Sequence, residues 1–157
     1  MRLEPQTSSD GTRAIFLADD PANQIVSCCI YGIIINATNT IANRDEWKKT
    51  IADQIHTERF KNLSTNDQAS ISISLFFNLE NHGYRKKFDL DIDNYTKEII
   101  DATATGLFSD WESEKQKEKI KFGEGDHVFR WMFFEKREAE TKDKERVYIT
   151  VWKHNIA

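Results

Sequence analysis

"ASISISLFFNL" (Ala69–Leu79) decides the fold. Ile71, Ile73, Leu75, Phe77 and Leu79 share one parity, while Ser70, Ser72, Ser74 and Asn78 take the other. A period of two is the signature of a β-strand with one face in a core and the other wet or covered by something polar. Working outward from it, "IVSCCIYGIIIN" (Ile25–Asn36) is a continuous, β-branched apolar run, which predicts a central strand buried on both faces. Between the two runs, "NATNTIANRDEW" reads as a polar loop ending near Asn43, a good N-cap residue. From Arg44 to about Asn62, Trp47, Ile51 and Ile55 recur at every fourth position, the stripe of an amphipathic helix. Downstream comes a turn at Asn81–Gly83, then a second helix that stops near Gly106. Two further apolar runs, "HVFRWMFFEK" (His127–Lys136) and "RVYITVW" (Arg146–Trp152), flank the charged connection "REAETKDKE", which predicts a C-terminal antiparallel hairpin. The order β-α-β-α-β-β gives an α/β (α+β) fold, two helices packed on a mixed β-sheet.

At 157 residues, with 39% apolar residues, the chain suits one domain with a real core. Residues 1–24 are polar and turn-rich, with Pro5, Gly11 and Pro21, and read as a loose leader carrying at most a short strand around Ala14–Leu17. The domain proper is residues 25–157. Within it, "DWESEKQKEKIKFGEGD" (Asp110–Asp126) mixes lysine and glutamate without an apolar stripe, so residues 111–125 read as an exposed insertion. The 22 basic residues fall short of the 26 acidic ones, a net charge of −4, so bulk charge does not point to nucleic acid and any such contact must come from local clusters or a metal. Cys28 and Cys29 are adjacent, too strained for a structural disulfide, and read as small hydrophobes in a reducing compartment. No apolar stretch approaches 18 residues and no signal peptide opens the chain, so the expectation is a cytoplasmic protein without membrane contact, nucleoid-associated if the source is a bacterium or a phage. His56, His82, His127 and His154 show no metal-ligand spacing, and neither a phosphate-binding glycine loop nor a nucleophile elbow is present.

The chemistry concentrates in "RKKFDLDIDNYTKEIIDA" (Arg85–Ala102). Arg85, Lys86 and Lys87 precede Asp89, Asp91 and Asp93 at alternate positions. An extended Phe88–Asp93 puts the three carboxylates on one side. A helix starting at Asp93 or Asn94 puts Lys97 one turn on from Asp93, with Tyr95, Ile99 and Ala102 facing the core. Carboxylates beside a lysine are what a hard divalent cation and a phosphodiester require. The plain alternative is that Asp93 caps the helix and pairs with Lys97, while the basic triple is a solvated turn.

At these residues the chain resembles the RusA-type Holliday junction resolvases. Their pattern is D-x-D-N-x-x-K, then Asp and Ala, a Gly, an aromatic residue, and an Asp-Asp pair opening a strand. Asp91, Asp93, Asn94, Lys97, Asp101, Ala102, Gly106, Phe108 and Asp110 fall on it. The resemblance implies a RusA-like nuclease domain: a homodimeric, Mg²⁺-dependent endonuclease, with Mn²⁺ as a substitute, that resolves four-way DNA junctions by paired nicks in recombination and repair. It implies that Asp91 and Asp93 hold the metal, that Lys97 assists, and that Arg85, Lys86, Lys87 and Lys97 meet DNA. The third acid belongs to the Asp-Asp pair. Here Trp111 follows Asp110, while Asp126 stands before the next strand, so both Asp126 and Asp110 are candidates, with the 111–125 insertion between them. The split pair, the acidic balance and a first loop richer in Asn and Thr than in basic residues favour the alternative, a resolvase-like module that binds DNA or protein without cleaving.

Overall fold

The structure is a computed structural model that describes residues 23–61, 63, 66–83, 91–108 and 126–154. The leader with its Ala14–Leu17 strand, the 111–125 insertion, Arg85, Lys86, Lys87, Asp89 and Asp110 lie outside the described residues.

Among the described residues, four strands and two α-helices follow in the order β-α-β-α-β-β: β1 (Gln24–Tyr31), α1 (Ile41–Glu58), β2 (Gln68–Phe77), α2 (Ile92–Leu107), β3 (Phe129–Glu138) and β4 (Arg146–His154). The strands form one mixed sheet in the order β1-β4-β2-β3. β4 runs antiparallel to both β1 and β2, and β3 runs parallel to β2.

The alternation in β2 does what its spacing predicts. Ile71, Ile73 and Leu75 are fully buried, and with Ile149 and Val151 of β4 and Ile25 and Val26 of β1 they form the core face. The helices cover that face with Trp47, Ile51 and Ile55 from α1 and Tyr95, Ile99, Ala102 and Leu107 from α2. α1 begins at Ile41, ahead of the expected Arg44, because Thr40 caps it: its side chain accepts from the Asn43 amide. α2 ends at Leu107, beside Gly106 as expected, and Gly106 itself lies in its last turn. It is where the helices touch, since a Cβ there would sit 2.5 Å from the Ala52 carbonyl oxygen.

Two strand expectations need correction. The run Ile25–Asn36 is not a central strand buried on both faces. Among the described residues β1 is an edge strand that pairs with β4 alone, and it ends at Tyr31, which is 61% exposed. Gly32 ends it with a φ of 150°, a conformation that side-chain-bearing residues rarely adopt. The expected hairpin keeps its short connection and the antiparallel sense of β3 and β4, but the two strands do not pair with each other, because β2 lies between them. The connection steps across the end of β2 and is fastened to it: Ala139 N donates to Phe77 O, and the Asn78 and Asn81 side-chain amides donate to the carbonyls of Ala139 and Lys142.

α2 therefore has a defined direction. Its first turn meets the C-terminal end of β2, where the Tyr95 and Phe77 rings pack edge to face at 4.9 Å. Its last turn meets the end of α1, where Arg59 Nη1 donates to the carbonyls of Gly106, Leu107 and Phe108. That second end is also where β1 starts, since Phe60 N donates to Ile25 O.

Candidate functional site

Asp91 is the N-cap of α2. Its side chain accepts from Asp93 N at 3.3 Å and its carbonyl from Asn94 N at 3.1 Å. The carboxylates of Asp91 and Asp93 stand two residues apart on exposed backbone, with Asn94 exposed beside them. Lys97 lies one turn on, its side chain 71% exposed, and reaches forward to Asp101 Oδ2 at 3.4 Å. The alternative pairing of Asp93 with Lys97 is not the one that forms, and both Asp93 and Lys97 face solvent. Asn94 O accepts from Ala37 N at 2.7 Å, which ties the first loop to this helix end.

The first loop satisfies itself. Asn36 Oδ1 accepts from the amide and hydroxyl of Thr38, and Asn39 Oδ1 accepts from Thr40 N and Asn43 Nδ2. Arg44 donates to Ala37 O and lies 3.6 Å from Glu98, and Lys48 approaches Glu98 at 2.8 Å. Glu98 is 3% exposed, so its carboxylate draws these two cations inward from the surface beside the first loop.

A second buried carboxylate holds this end of the sheet together. Glu145, 1% exposed, accepts from Ile34 N at 2.7 Å and Asn78 N at 2.8 Å, and His82 Nε2 lies 2.8 and 2.9 Å from its two oxygens. The His82 ring packs against Phe77 and Tyr95. One side chain thus joins the β1–α1 loop, the end of β2 and the residues before the acidic segment. Sequence reading missed both carboxylates. Glu98 carries a signal, an acid on the turn that also presents Tyr95 and Ile99 to the core. Glu145, in a run of charged residues, carries none.

The structure does not bring Asp126 to Asp91 and Asp93, and Asp110 lies outside the described residues. β3 is parallel to β2, Phe129 pairs with Ala69 and Glu138 with Phe77. Asp126, in a short 3-10 helix just before β3, therefore stands at the end where β2 begins, whereas Asp91 and Asp93 stand where β2 ends. Eight residues of strand separate those ends, about 25 Å at the usual rise per residue. Among the described residues no three His, Cys, Asp or Glu side chains are grouped to hold a metal ion.

A magnesium ion commonly takes one or two carboxylates and completes its shell with water and phosphate oxygens. Asp91 and Asp93 are two exposed acids at one helix end, the number such an ion takes, and the backbone of Asp126 lies at the other end of the strands. No helix among the described residues is long and apolar enough to cross a membrane. Neither a known protein family, nor a curated protein, nor a solved structure matches this chain.

Proposed function

We propose that this protein is a metal-dependent endonuclease acting on branched DNA, in the manner of the RusA-type resolvases it resembles. The observation that carries the reading is the end of α2, where Asp91, Asp93 and Lys97 occupy the D-x-D-N-x-x-K positions and are all exposed. Asp91 and Asp93 would hold the magnesium ion, with manganese as a substitute. Bound there, the ion would lower the pKa of a coordinated water and neutralise charge on the phosphate. The chain's own part is to present two oxygen donors on a rigid helix end fixed by Ala37 and Tyr95. Lys97, held near the same surface by Asp101, supplies a cation for a phosphate oxygen. Arg85, Lys86 and Lys87 immediately precede the acids and would meet the DNA backbone, an attraction that salt weakens steeply. The test is a synthetic four-way junction incubated with Mg²⁺ beside the Asp91→Asn and Asp93→Asn variants. Symmetric nicking that both variants abolish is the expected result, and a wild-type protein that leaves the junction uncut refutes cleavage.

The distance of Asp126 from the other acids favours a second reading, a resolvase-like module that binds branched DNA or protein and has lost cleavage. Its mark in the same assay is a shifted junction without nicks, unaffected by Asp91→Asn.

A further inference from the structure

His82 stands between the buried Glu145 and the first turn of α2. Glu145 already accepts from Ile34 N and Asn78 N, and a carboxylate only accepts, so His82 Nε2 carries the hydrogen that meets it at 2.8 and 2.9 Å. That bond aims the imidazole. The ring meets Tyr95 edge to face, with centroids 6.0 Å apart and planes at 87°. Phe77 closes the group, 5.4 Å from His82 and 4.9 Å from Tyr95. The His82 side chain is 10% exposed and Tyr95 is 3% exposed, so neither ring has room to turn away.

Tyr95 comes two residues after Asp93, and between them Asn94 O accepts from Ala37 N at 2.7 Å. The contacts close on themselves. They run from Ile34 to Glu145, His82, Tyr95 and Asn94, and return at Ala37, three residues beyond Ile34. The first turn of α2 is gripped by a ring on its core side and by a backbone bond on its loop side. Two acids on one turn need such a grip, because like charges repel until an ion arrives. Ordering them at that moment would subtract from affinity.

Resting on the metal-dependent reading above, we propose that His82 is a positioning residue for that site: through Tyr95 it sets where the carboxylates of Asp91 and Asp93 stand, without touching the ion. Its bond to Glu145 aims the ring, and the ring holds the helix end.

The experiment reads Mn²⁺ uptake by calorimetry and needs no cleavage. His82→Gln keeps a side-chain N–H for Glu145 and removes the ring. It should stay folded by circular dichroism and bind Mn²⁺ roughly tenfold more weakly, the low end of what losing an outer partner of a metal ligand costs. Without metal, its Ala37 amide should exchange faster than in the wild type. Tyr95→Leu removes the same contact from the helix side and should weaken uptake to a similar degree. The double variant should bind no more weakly than either single one, because both remove one interaction. Gly106→Ala strains the far end of α2, so its urea midpoint should fall while its Mn²⁺ affinity stays that of the wild type. Single variants that bind Mn²⁺ like the wild type overturn the positioning role and leave the metal site standing. So does a Gly106→Ala variant that loses as much affinity as His82→Gln, since uptake would then follow stability alone. Wild-type protein that takes up no Mn²⁺ overturns the metal-dependent reading and this proposal with it.

Discussion

Glu145→Gln tests the carboxylate that joins three segments behind the acidic end of α2. In the native protein its two oxygens receive Ile34 N at 2.7 Å, Asn78 N at 2.8 Å and the His82 ring nitrogen at 2.8 and 2.9 Å, and the residue is 1% exposed. Glutamine keeps the shape but only one oxygen. Its NH₂ must face a backbone N–H, donor against donor, so one buried amide loses its partner at about 1–3 kcal/mol. The remaining bonds change from charge-assisted to neutral, a loss of about 1 kcal/mol each. Together this amounts to about 3–5 kcal/mol, a large share of the 5–15 kcal/mol that typically holds a domain. Urea unfolding followed by tryptophan fluorescence should show a lower midpoint with an unchanged slope. Lys142→Ala serves as the control, because its pair with Glu80 at 3.6 Å is exposed on both sides and should change stability by less than about 0.5 kcal/mol. Amide exchange should quicken at Ile34 and Asn78 in the Gln variant. A loss below about 1 kcal/mol, with exchange at those amides unchanged, would refute the view that this carboxylate holds the three segments.

The remaining predictions concern the two helices and β1. Asp91→Ala should cost about 0.5–2 kcal/mol because it removes the cap of α2, whereas Asp91→Asn should cost almost nothing; if both lose Mn²⁺ uptake equally, capping and metal binding are separable at one residue by comparing calorimetry with urea unfolding. Gly106→Ala puts a methyl group 2.5 Å from the Ala52 carbonyl and 2.9 Å from Ile55 Cβ, so the helices must part, and a destabilisation of about 1–3 kcal/mol is expected in the same assay. Burial, with smaller contributions from Glu58 and Cys29, pushes the Cys28 thiol up to about 12 from 9.0. The folded state then holds this proton more tightly than the unfolded one, so the stabilisation is complete below about pH 9 and is lost as pH rises from there toward 12. Urea midpoints against pH should fall over that window, and Cys28→Ser should flatten the fall.

The strand of alternating Ile and Ser and the two helical stripes were legible because each side chain's fate depends on its own spacing. The order of elements, and Tyr95, Ile99 and Ala102 on the core side of α2, follow from the same rule. What the pattern does not carry is adjacency. The run at Ile25–Tyr31 looks central because it is apolar, yet its place at the edge depends on which strand reaches it, and that is β4, more than a hundred residues later. The same blindness applies to the acids. D-x-D-N-x-x-K is a local pattern, and the helix end it predicts is where Asp91, Asp93 and Lys97 stand. Asp126 was joined to them by motif order alone, and only the parallel register of β2 and β3 reveals that the two sets lie at opposite ends. Glu145 was illegible for a related reason, since a charged residue announces its burial only when its distant partners are known; Glu98 had only its place beside Ile99 to mark it.

The sheet's order also bears on how the chain is made. β4, the last strand in sequence, lies between the first and the second. While a nascent chain is still leaving the ribosome, β1 has no neighbour among the described strands to bond with, and β2 waits without β4 along one edge. The most distant pairing, Gln24 with Trp152, closes only after β4 has been made. Folding of this domain is thus expected to be late and slow for its size, with β1 exposed to chaperones until β4 arrives.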